Sequence, residues 1–304
     1  DYLRRSIAGY SRHPNIAGTL LLGLGCEINQ LDGMVADLGL IPGEMLHTMT
    51  IQGEGGTNAT VRRGIECIEA MLPAANNVKR ETVPASHIIL GMECGGSDAF
   101  SGVTANPALG AAADLLVRHG GTAILGETPE IYGAEHLLIR RAESEAVGRK
   151  LLERIAWWED YTKMNGAVVD NNPSPGNKAG GLTTILEKSL GAAAKGGTSN
   201  LVAVYRYAET VESKGFVFMD TPGYDPVSIT GMVAGGANVV CFTTGRGSVF
   251  GCKPTPSLKL ATNSTMFEPM DEDMDINCGR IVDGEADIEG LGREIFELIL
   301  NTAS

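Results

Sequence analysis

Short apolar runs that end in glycine recur along this chain, and they constrain its fold more than any other feature. The first, residues 16–25 (IAGTLLLGLG), is continuous rather than alternating. Strands covered on both faces of a parallel sheet have this continuous apolar character, whereas strands with one solvent face alternate. Similar runs follow at residues 45–51, 87–92 and 122–126. We therefore predict buried parallel strands.

Stretches with helical spacing, such as residues 57–71 and 107–119, separate these runs. Strands alternating with helices predict a parallel sheet covered by helices. The pattern resumes in the second half, with predicted strands at residues 201–207, 216–219, 238–243 and 257–261 and a last amphipathic helix at 289–300. The predicted fold class is α/β, with two Rossmann-like parallel-sheet units that have helices on both faces.

The predicted boundary between the two units follows a long polar, helix-forming segment at residues 143–163 and precedes the loop NNPSPGNKAGG at 171–181. We assign residues 1–165 to the first unit. Residues 166–304 form the second unit, which carries the NPSPGNKAGG and TTGRGS loops. A length of 304 residues agrees with two domains of about 150 residues each.

The composition excludes several classes of protein. A net charge of -13 argues against a nucleic-acid partner, which requires a basic face. No run approaches the roughly 20 apolar residues of a membrane helix, and no apolar signal region follows the start of the chain, so we expect a soluble, cytoplasmic protein. The six cysteines lack paired spacing, which favours reduced thiols.

The segment Glu93-Cys94-Gly95-Gly96-Ser97-Asp98 follows a predicted strand. Its two glycines allow backbone N–H groups to approach an anion, while Ser97 and Asp98 offer oxygen atoms. This combination indicates a site for a carboxylate, a metal or both. The alternative is a glycine turn in which Ser97 or Asp98 caps the next helix.

The segment that begins Gly25-Cys26-Glu27 has the same layout, so Cys26 and Glu27 join Cys94 and Asp98 as candidate metal ligands. Mg²⁺ prefers oxygen ligands, whereas Fe²⁺ or Mn²⁺ accepts a mixed set. For either cysteine, an ordinary buried thiol is an equally good interpretation.

Acidic residues and a histidine follow another strand, at Glu127, Glu130, Glu135 and His136. One of these side chains could take a proton, and His136 titrates near neutral pH. Capping and solvated surface positions explain most such carboxylates.

Two glycine-containing loops each carry one cation. The first, residues 172–181, contains Asn177 and Lys178, and Lys178 could bind a carboxylate or remove a proton from carbon. The second, residues 243–248, contains Thr244 and Arg246, whose guanidinium can grip a carboxylate through two hydrogen bonds. The alternative for Arg246 is a structural role in bracing the loop.

Several long strings resemble blocks of the galactarate/altronate dehydratase family, and they occur in the family's order over nearly the whole chain. They are GLGCEINQ, ECGGSDAFSGVTANPALG, ETPEIYGAEHLL, NPSPGNKAGGLTTILEKSLG, FMDTPGYDP, FTTGRGS and MDINCGRIVDGE. The resemblance implies a hydro-lyase that removes water from an aldonic or aldaric acid and gives a 2-keto-3-deoxy acid. It further implies a divalent metal, Fe²⁺ first, with Mn²⁺ or Mg²⁺ as alternatives.

The expected partners are a small anionic sugar acid and further copies of the chain in a homo-oligomer. Family members usually carry a small amino-terminal domain and a cysteine-containing stretch before the point where this sequence starts. Two other functions remain open. One is a sulfolactate sulfo-lyase of the same family, and the other is a noncatalytic sugar-acid binding fragment of a longer enzyme.

Our hypothesis for the site assigns the substrate carboxylate to Arg246, Lys178 and the Gly95-Gly96 backbone. Ser97, Thr244 and Asn177 complete the predicted substrate-binding set. The base is His136, Lys178 or Glu130, and a metal bridges the carboxylate and a hydroxyl. Enediolate charge forms as the proton leaves, so a metal and preorganised donors are expected.

Overall fold

A computed structural model describes residues 1–169 and 173–304 of the chain. The chain divides into two compact units, Asp1–Val83 and Pro84–Ser304. The predicted boundary between residues 165 and 166 is therefore not where the units divide. Strands from both sides of that position pair within the seven-stranded sheet, so neither part contains the whole of that sheet. Asn171 and Asn172, which open the predicted 171–181 loop, lie outside the described residues.

The first unit is a small α/β arrangement. Its elements are α1 (Tyr2–Ser11), β1 (Thr19–Gly23), α2 (Leu31–Asp37), β2 (Leu46–Thr50) and α3 (Thr57–Asn76). Strands β1 and β2 are parallel, as predicted, with Thr19 opposite Leu46 and Gly23 opposite Thr50. Helix α3 packs on both strands. Its buried residues, Thr60, Gly64, Cys67 and Met71, follow the three- and four-residue spacing of one helix face.

The second unit contains the larger sheet. Its strands are β3 (Ile89–Cys94), β4 (Thr122–Leu125), β5 (Leu201–Tyr205), β6 (Gly215–Met219), β7 (Val239–Thr244), β8 (Ser257–Ala261) and β9 (Ile276–Asn277). Its helices are α4 (Ala105–Arg118), α5 (Glu135–Ile139), α6 (Glu145–Met164), α7 (Pro175–Ala179), α8 (Ile185–Ala194), α9 (Asp225–Ala234), α10 (Ser264–Phe267) and α11 (Ile288–Ala303). Short 3-10 helices lie at Ala85–His87, Thr128–Ile131, Glu268–Met270 and Cys278–Ile281.

Within the described part of the chain the larger sheet has seven strands in the order β5-β6-β4-β3-β7-β8-β9. Every adjacent pair is parallel. All eight predicted strand regions form strands, and the sequence prediction missed the two-residue β9. The α/β prediction is confirmed.

Alternation along β3 shows how helices cover both faces of this sheet. Leu90 and Met92 are fully buried in the core cluster formed with α4 and α11. Gly91 faces the opposite side of the sheet, because a Cβ placed on it would lie 3.7 Å from Met232 Cβ of α9. Side chains alternate between sheet faces along a strand, so Glu93 lies on the α9 face and Cys94 on the α4 face.

None of the helices in residues 1–169 and 173–304 combines the length and apolar character required to cross a membrane.

Candidate active site

A crevice is expected where strand order reverses in an open parallel sheet, beyond the carboxyl ends of the strands. In this sheet the chain leaves β3 towards β4 on one side, and leaves β7 towards β8 on the other. The loops after β3 and β7 are joined directly, since Gly95 N donates to Thr243 O and Gly245 N donates to Gly96 O. The predicted glycine-rich loops therefore meet at this reversal point.

Two buried carboxylate–ammonium pairs lie beside this point. The Lys188 Nζ is 2.6 Å from Glu130 Oε1, and the Lys195 Nζ is 2.5 Å from Glu127 Oε2. All four side chains are at most 7% exposed. Charges are seldom buried without partners of opposite sign, because removing them from water is costly. Their concentration at a strand-end crevice is a feature of functional sites.

Cys94, at the end of β3, links the two pairs. Its backbone N donates to Glu127 Oε2 over 3.1 Å, and its Sγ lies 3.3 Å from Glu130 Oε2 and 3.8 Å from Glu127 Oε1. One ligand atom from each of Cys94, Glu127 and Glu130 lies within 4.8 Å of the other two. A thiol with two carboxylates is a mixed donor set that suits Fe²⁺ or Mn²⁺. The residues thus fit a metal in both donor chemistry and spacing.

Helix α8 positions both lysines. Lys188 lies inside the helix and Lys195 is its C-cap, two turns later on the same face. The helix approaches α4 and the preceding loop very closely. A Cβ on Gly191 would lie 3.0 Å from Gly102 Cα, and one on Gly110 would lie 2.3 Å from Ala194 O. These glycines therefore let α8 lie deep enough for its lysines to reach Glu127 and Glu130.

The loop that carries Glu127 is fixed by the loop after β6. Glu127 N donates to Thr221 Oγ1, Thr128 N donates to Thr221 O, and Thr128 Oγ1 donates to Asp220 Oδ1. Glu127 itself has a left-handed backbone, with φ of 62°. This conformation is unfavourable for a residue with a side chain and persists where surrounding contacts impose it. The loops after β4 and β6 therefore act together to orient Glu127.

Glu93 extends the network to the α9 face of the sheet. Ser228 Oγ of α9 donates to Glu93 Oε2 over 2.7 Å, and Thr221 Oγ1 lies 2.8 Å from Ser228 Oγ. Glu93, Glu127 and Asp225 form a second group of ligand atoms within 4.8 Å of one another. Glu127 therefore belongs to both groups.

Burial and charge shift the pKa values of this network. Burial, followed by repulsion from Glu127, raises the pKa of Glu93 well above its ordinary value. Burial likewise raises the pKa of the Cys94 thiol well above its usual range, and the neighbouring carboxylates add to the effect. Burial alone would lower the pKa of Lys188 and Lys195, but neighbouring acidic groups outweigh it and raise both. Glu130 is the main such group for Lys188, and Cys94 followed by Glu127 are the main ones for Lys195. Both lysines are therefore ammonium ions near neutral pH, and a metal binding Cys94 would release its proton.

Asp98 does not join either metal-ligand group among the described residues. Its Oδ1 accepts hydrogen bonds from Ser101 N, Ser101 Oγ and Thr262 Oγ1, and its Oδ2 accepts one from Asn263 Nδ2. The carboxylate oxygens are thus used in joining the loop after β3 to the loop after β8. Asp98 is a positioning residue in this structure rather than the metal ligand that the sequence suggested.

The two predicted anion-binding cations are exposed. The structure assigns the side chains of Arg246 and Lys178 no hydrogen bond or ion pair within residues 1–169 and 173–304. Arg246 lies at the reversal point, because a Cβ on Gly96 would be 3.1 Å from Arg246 Cβ and one on Gly180 would be 3.3 Å from Arg246 Cδ. Its guanidinium is therefore available to an anionic ligand at this edge.

The remaining predicted substrate-binding residues are mostly committed to the loops themselves. Gly95 and Ser97 are buried, and Gly96 has a positive φ of 61°. Thr244 Oγ1 accepts from Gly247 N and Ser248 N. Asn177 Nδ2 donates to Ser97 O, and its Oδ1 accepts from Ser174. Thr244 and Asn177 therefore shape the edge of the crevice.

Three other predicted residues lie away from this network. His136 is exposed on α5, where its Nδ1 lies 3.1 Å from Gly133 O. Cys26 is exposed. The Glu27 carboxylate accepts hydrogen bonds from its own backbone N–H and from Gly25 N, and these lower the Glu27 pKa. Cys26 and Glu27 belong to the first unit, and neither is a member of a metal-ligand group found in the described part of the chain.

Two family models match the chain. The model described as D-galactarate/Altronate dehydratase, C-terminal, matches residues 85–304, and the D-galactarate dehydratase/Altronate hydrolase second-domain model matches residues 1–76. The chain belongs to the galactarate/altronate dehydratase family. The two matched regions agree with the division into two compact units.

The chain is similar in sequence to curated dehydratases and to a sulfo-lyase subunit. Galactarate dehydratase (L-threo-forming) of Escherichia coli K12 is 42% identical over 99% of this chain, and altronate dehydratase of Bacillus subtilis 168 is 38% identical over 96%. This family member spans 58% of the length of each. The (2R)-sulfolactate sulfo-lyase subunit beta of Chromohalobacter salexigens is 30% identical over 99% of the chain, which covers 77% of that relative.

Sequence reasoning on this dehydratase-family chain identified Glu130 and Cys94 but assigned no site role to Lys188, Lys195 or Asp225. A signal for the lysines was present, since both occur in a segment rich in small residues, KSLGAAAK, at a spacing of seven. A charged residue that recurs on one face of an apolar helix indicates a buried partner of opposite charge.

Proposed function

We propose that the chain carries the dehydratase site for an aldonic or aldaric acid, such as altronate or galactarate, and converts it to a 2-keto-3-deoxy acid. The observation that carries this proposal is the buried network of Cys94 with the Glu130–Lys188 and Glu127–Lys195 pairs at the carboxyl edge of the sheet. The names of the galactarate and altronate dehydratase relatives support the same substrate class.

The reaction removes one proton from the carbon next to the carboxylate and the hydroxyl from the following carbon. The C–H electron pair forms the new carbon–carbon double bond as the C–O bond breaks, and the hydroxyl leaves with a proton as water. The resulting enol rearranges to the keto acid. The site must therefore supply a base, an acid for the leaving hydroxyl, and stabilisation of the enediolate.

Glu130 and Lys188 match the two proton-transfer roles. Glu130 is a buried carboxylate adjacent to the Cys94 thiol, and we assign it as the base. Lys188 stays protonated because neighbouring carboxylates raise its pKa, so it is suited to donating a proton to the leaving hydroxyl. Lys195 is fully buried against Glu127 and holds that carboxylate in place.

The substrate carboxylate is assigned to Arg246, assisted by the backbone of Gly95 and Gly96 and by Lys178. Arg246 is exposed, lies against Gly96 and has a planar guanidinium that can form two parallel hydrogen bonds. Binding at this point would place the neighbouring carbon atoms towards the end of β3, where Cys94 begins the buried network.

The residues that would hold a divalent metal are Cys94, Glu127 and Glu130, with Fe²⁺ as the first choice for this mixed donor set. When bound, such a metal supplies Lewis-acid stabilisation of the charge that develops on the substrate carboxylate. A carboxylate that is held tightly by a metal cannot also act freely as a base. We therefore assign Glu130 as a weaker metal ligand than Cys94 and Glu127.

Substrate entry requires a conformational change. The cavity lined by Cys94, Ser97, Asp98 and Lys188 has a volume of about 10 Å³, which suffices for one water molecule. Helix α7 covers its Ser97 side, where Asn177 Nδ2 donates to Ser97 O and Ala99 N donates to Gly180 O. We propose that these contacts open when the substrate binds.

The deciding experiment follows 2-keto acid formation under anaerobic conditions with galactarate, altronate and sulfolactate, each with Fe²⁺, Mn²⁺ or Mg²⁺. We expect a metal-dependent keto acid from one sugar acid. The Glu130→Gln variant should lower kcat about 10²- to 10⁴-fold, the range for loss of a general base. Glu145→Gln is the matched control, since Glu145 is exposed at the start of α6.

Arg246→Ala should raise KM strongly or abolish turnover, because it removes the proposed carboxylate grip. The reasoning would be refuted by near-normal kinetics in both Glu130→Gln and Arg246→Ala. Binding of a sugar acid without any turnover would instead favour a noncatalytic binding fragment.

A second candidate function is elimination of sulfite from sulfolactate. The supporting observation is that the chain covers a larger share of the sulfo-lyase subunit, 77%, than of the dehydratases, 58%. Both reactions need a grip on a carboxylate and a base, so the proposed residues serve either one. Sulfite release from sulfolactate, with no keto acid from the sugar acids, would establish this alternative.

A further inference from the structure

A cavity at one edge of the larger sheet lies apart from the proposed active site. It has a volume of about 280 Å³ and lies between α6 and the carboxyl end of β5, the strand at one end of the sheet. Helix α6 contributes Lys150, Glu153 and Arg154, and residues 204–206 with Glu209 complete the lining. We propose that this α6/β5 cavity binds a small anion of the phosphate monoester class.

Two side chains of α6 bring positive charge to one wall of the cavity. Lys150 and Arg154 are four residues apart on the helix, so they start from neighbouring positions on one face, about 5 to 6 Å apart. Within residues 1–169 and 173–304, the ion pairs of α6 involve Arg149 and Lys163 but neither of these two side chains. Both charges are therefore available to a ligand.

The loop after β5 forms another wall, and its own charges are already paired. Arg206 Nη2 lies 3.0 Å from Glu209 Oε1, and Glu209 Oε2 accepts a hydrogen bond from Arg206 N over 2.8 Å. The hydroxyl of Tyr205, the last residue of β5, accepts hydrogen bonds from Glu212 N and Ser213 N. These bonds hold the wall in one conformation, which lowers the entropy cost of binding.

The balance of charge in the cavity favours an anion. Because Arg206 and Glu209 neutralise each other, the two charges of Lys150 and Arg154 face one remaining carboxylate, that of Glu153. The whole chain has a net charge of -13, so a positive cavity runs against the overall composition. Positive charge within a concave site raises the local concentration of anions.

One compact group with two negative charges matches these cations better than a linear dicarboxylate does. A phosphate monoester carries roughly 1.5 to 2 negative charges at pH 7 and offers three acceptor oxygens at one centre. Arginine binds such oxygens through two parallel hydrogen bonds, and a lysine ammonium adds a point charge. The carboxylates of an aldaric acid lie at opposite ends of its carbon chain. Lys150 and Arg154, one helical turn apart, can hold only one of them.

Isothermal titration calorimetry of the whole 304-residue chain tests the proposal, with inorganic phosphate and glycerol 3-phosphate as probes at constant ionic strength. The site variants are Lys150→Met and Arg154→Gln. Loss of one charge-assisted contact should weaken binding of both probes by at least about tenfold. Arg149→Gln is the matched control, because this neighbouring arginine is paired with Glu145 and does not line the cavity. It should bind both probes as tightly as the wild type.

Glu153→Gln determines the sign of the site. Removing this carboxylate should tighten phosphate binding if the cavity takes an anion, and weaker binding would contradict the assignment. Arg246→Ala separates the cavity from the proposed active site and should leave phosphate binding unchanged.

Three results would overturn the proposal. The first is that neither probe binds, and the second is that Arg149→Gln weakens binding as much as Arg154→Gln does. The third is that Arg246→Ala, rather than Arg154→Gln, abolishes phosphate binding, since the anion would then occupy the proposed active site. Because binding is measured without turnover and no lining residue takes part in the proposed elimination, failure of the dehydratase reaction would leave this result intact.

Discussion

Removing the buried ammonium group of Lys195 should destabilise the second unit more than any surface charge does. Lys195 is fully buried, and its Nζ lies 2.5 Å from Glu127 Oε2. A Lys195→Met variant keeps the aliphatic length but leaves Glu127 without its cation. Breaking a buried ion pair by removing one partner costs about 3 to 5 kcal/mol. That loss is a large fraction of the roughly 5 to 15 kcal/mol by which a typical domain is stable.

Urea unfolding followed by tryptophan fluorescence measures this loss in the correct unit. Both tryptophans, Trp157 and Trp158, lie in the second unit, so the signal reports its unfolding alone. With a slope of about 3 kcal/mol per molar urea, the midpoint should fall by about 1 to 1.7 M. Lys163→Met is the control, because that side chain is 70% exposed. Its cost should stay below about 1 kcal/mol.

A double variant tests the cause. In Lys195→Met/Glu127→Gln the uncompensated charge is gone, so the total cost should be at least about 1 kcal/mol smaller than the sum of the single costs. Equal midpoints for Lys195→Met and Lys163→Met, or strict additivity in the double variant, would refute the reasoning.

Two further predictions concern other buried groups. Burial lowers the pKa of Lys259 to about 8, against about 10.4 in an unfolded chain. Between these two pKa values the unfolded state binds one more proton than the folded state, so the free energy of unfolding rises with pH. Lys259 should contribute about 1 to 3 kcal/mol to this rise. Urea midpoints compared at pH 7.5 and 10 should show the rise in the wild type but not in Lys259→Met, and an identical pH dependence would contradict the assignment. Gly245→Ala should cost at least about 1 to 3 kcal/mol through overpacking, because its Cβ would lie 2.2 Å from Asp98 Cγ. Gly251→Ala, with nothing within 4 Å of its Cβ, should unfold at nearly the wild-type urea concentration, and equal effects of the two substitutions would argue against the tight contact.

The elements of the fold were largely readable from the sequence, because continuous apolar runs and helical spacing are local patterns. The run 16–25 contains β1, and the spacing at 107–119 falls within one residue of the end of α4. The division at residue 165 was a different kind of prediction. It depended on which strands pair, and β4 next to β6, or β3 next to β7, brings together residues far apart in the chain.

The candidate site, too, was only partly predictable from the sequence. Cys94, Glu130 and Arg246 could be selected from the sequence, since each follows a strand end and has suitable chemistry. His136 was equally plausible by its chemistry, yet the fold leaves it exposed on α5, where its Nδ1 lies 3.1 Å from Gly133 O. Asp98 offered the right oxygens for a metal, but four hydrogen bonds from two loops occupy them.

The sequence by itself determined the α/β class, the family and the strand-end loops where chemistry would lie. Only the tertiary structure decided that Lys188 and Lys195 turn inward to neutralise Glu130 and Glu127, and that Glu93 Oε1 has no donor among the described residues. The physical reason is that burial and charge pairing depend on how α8 and α9 pack on the sheet. The sequence gives the same residue name to a lysine or glutamate on a solvated surface and to one inside a buried network. The free energy of the charged side chain, however, is set by the groups around it.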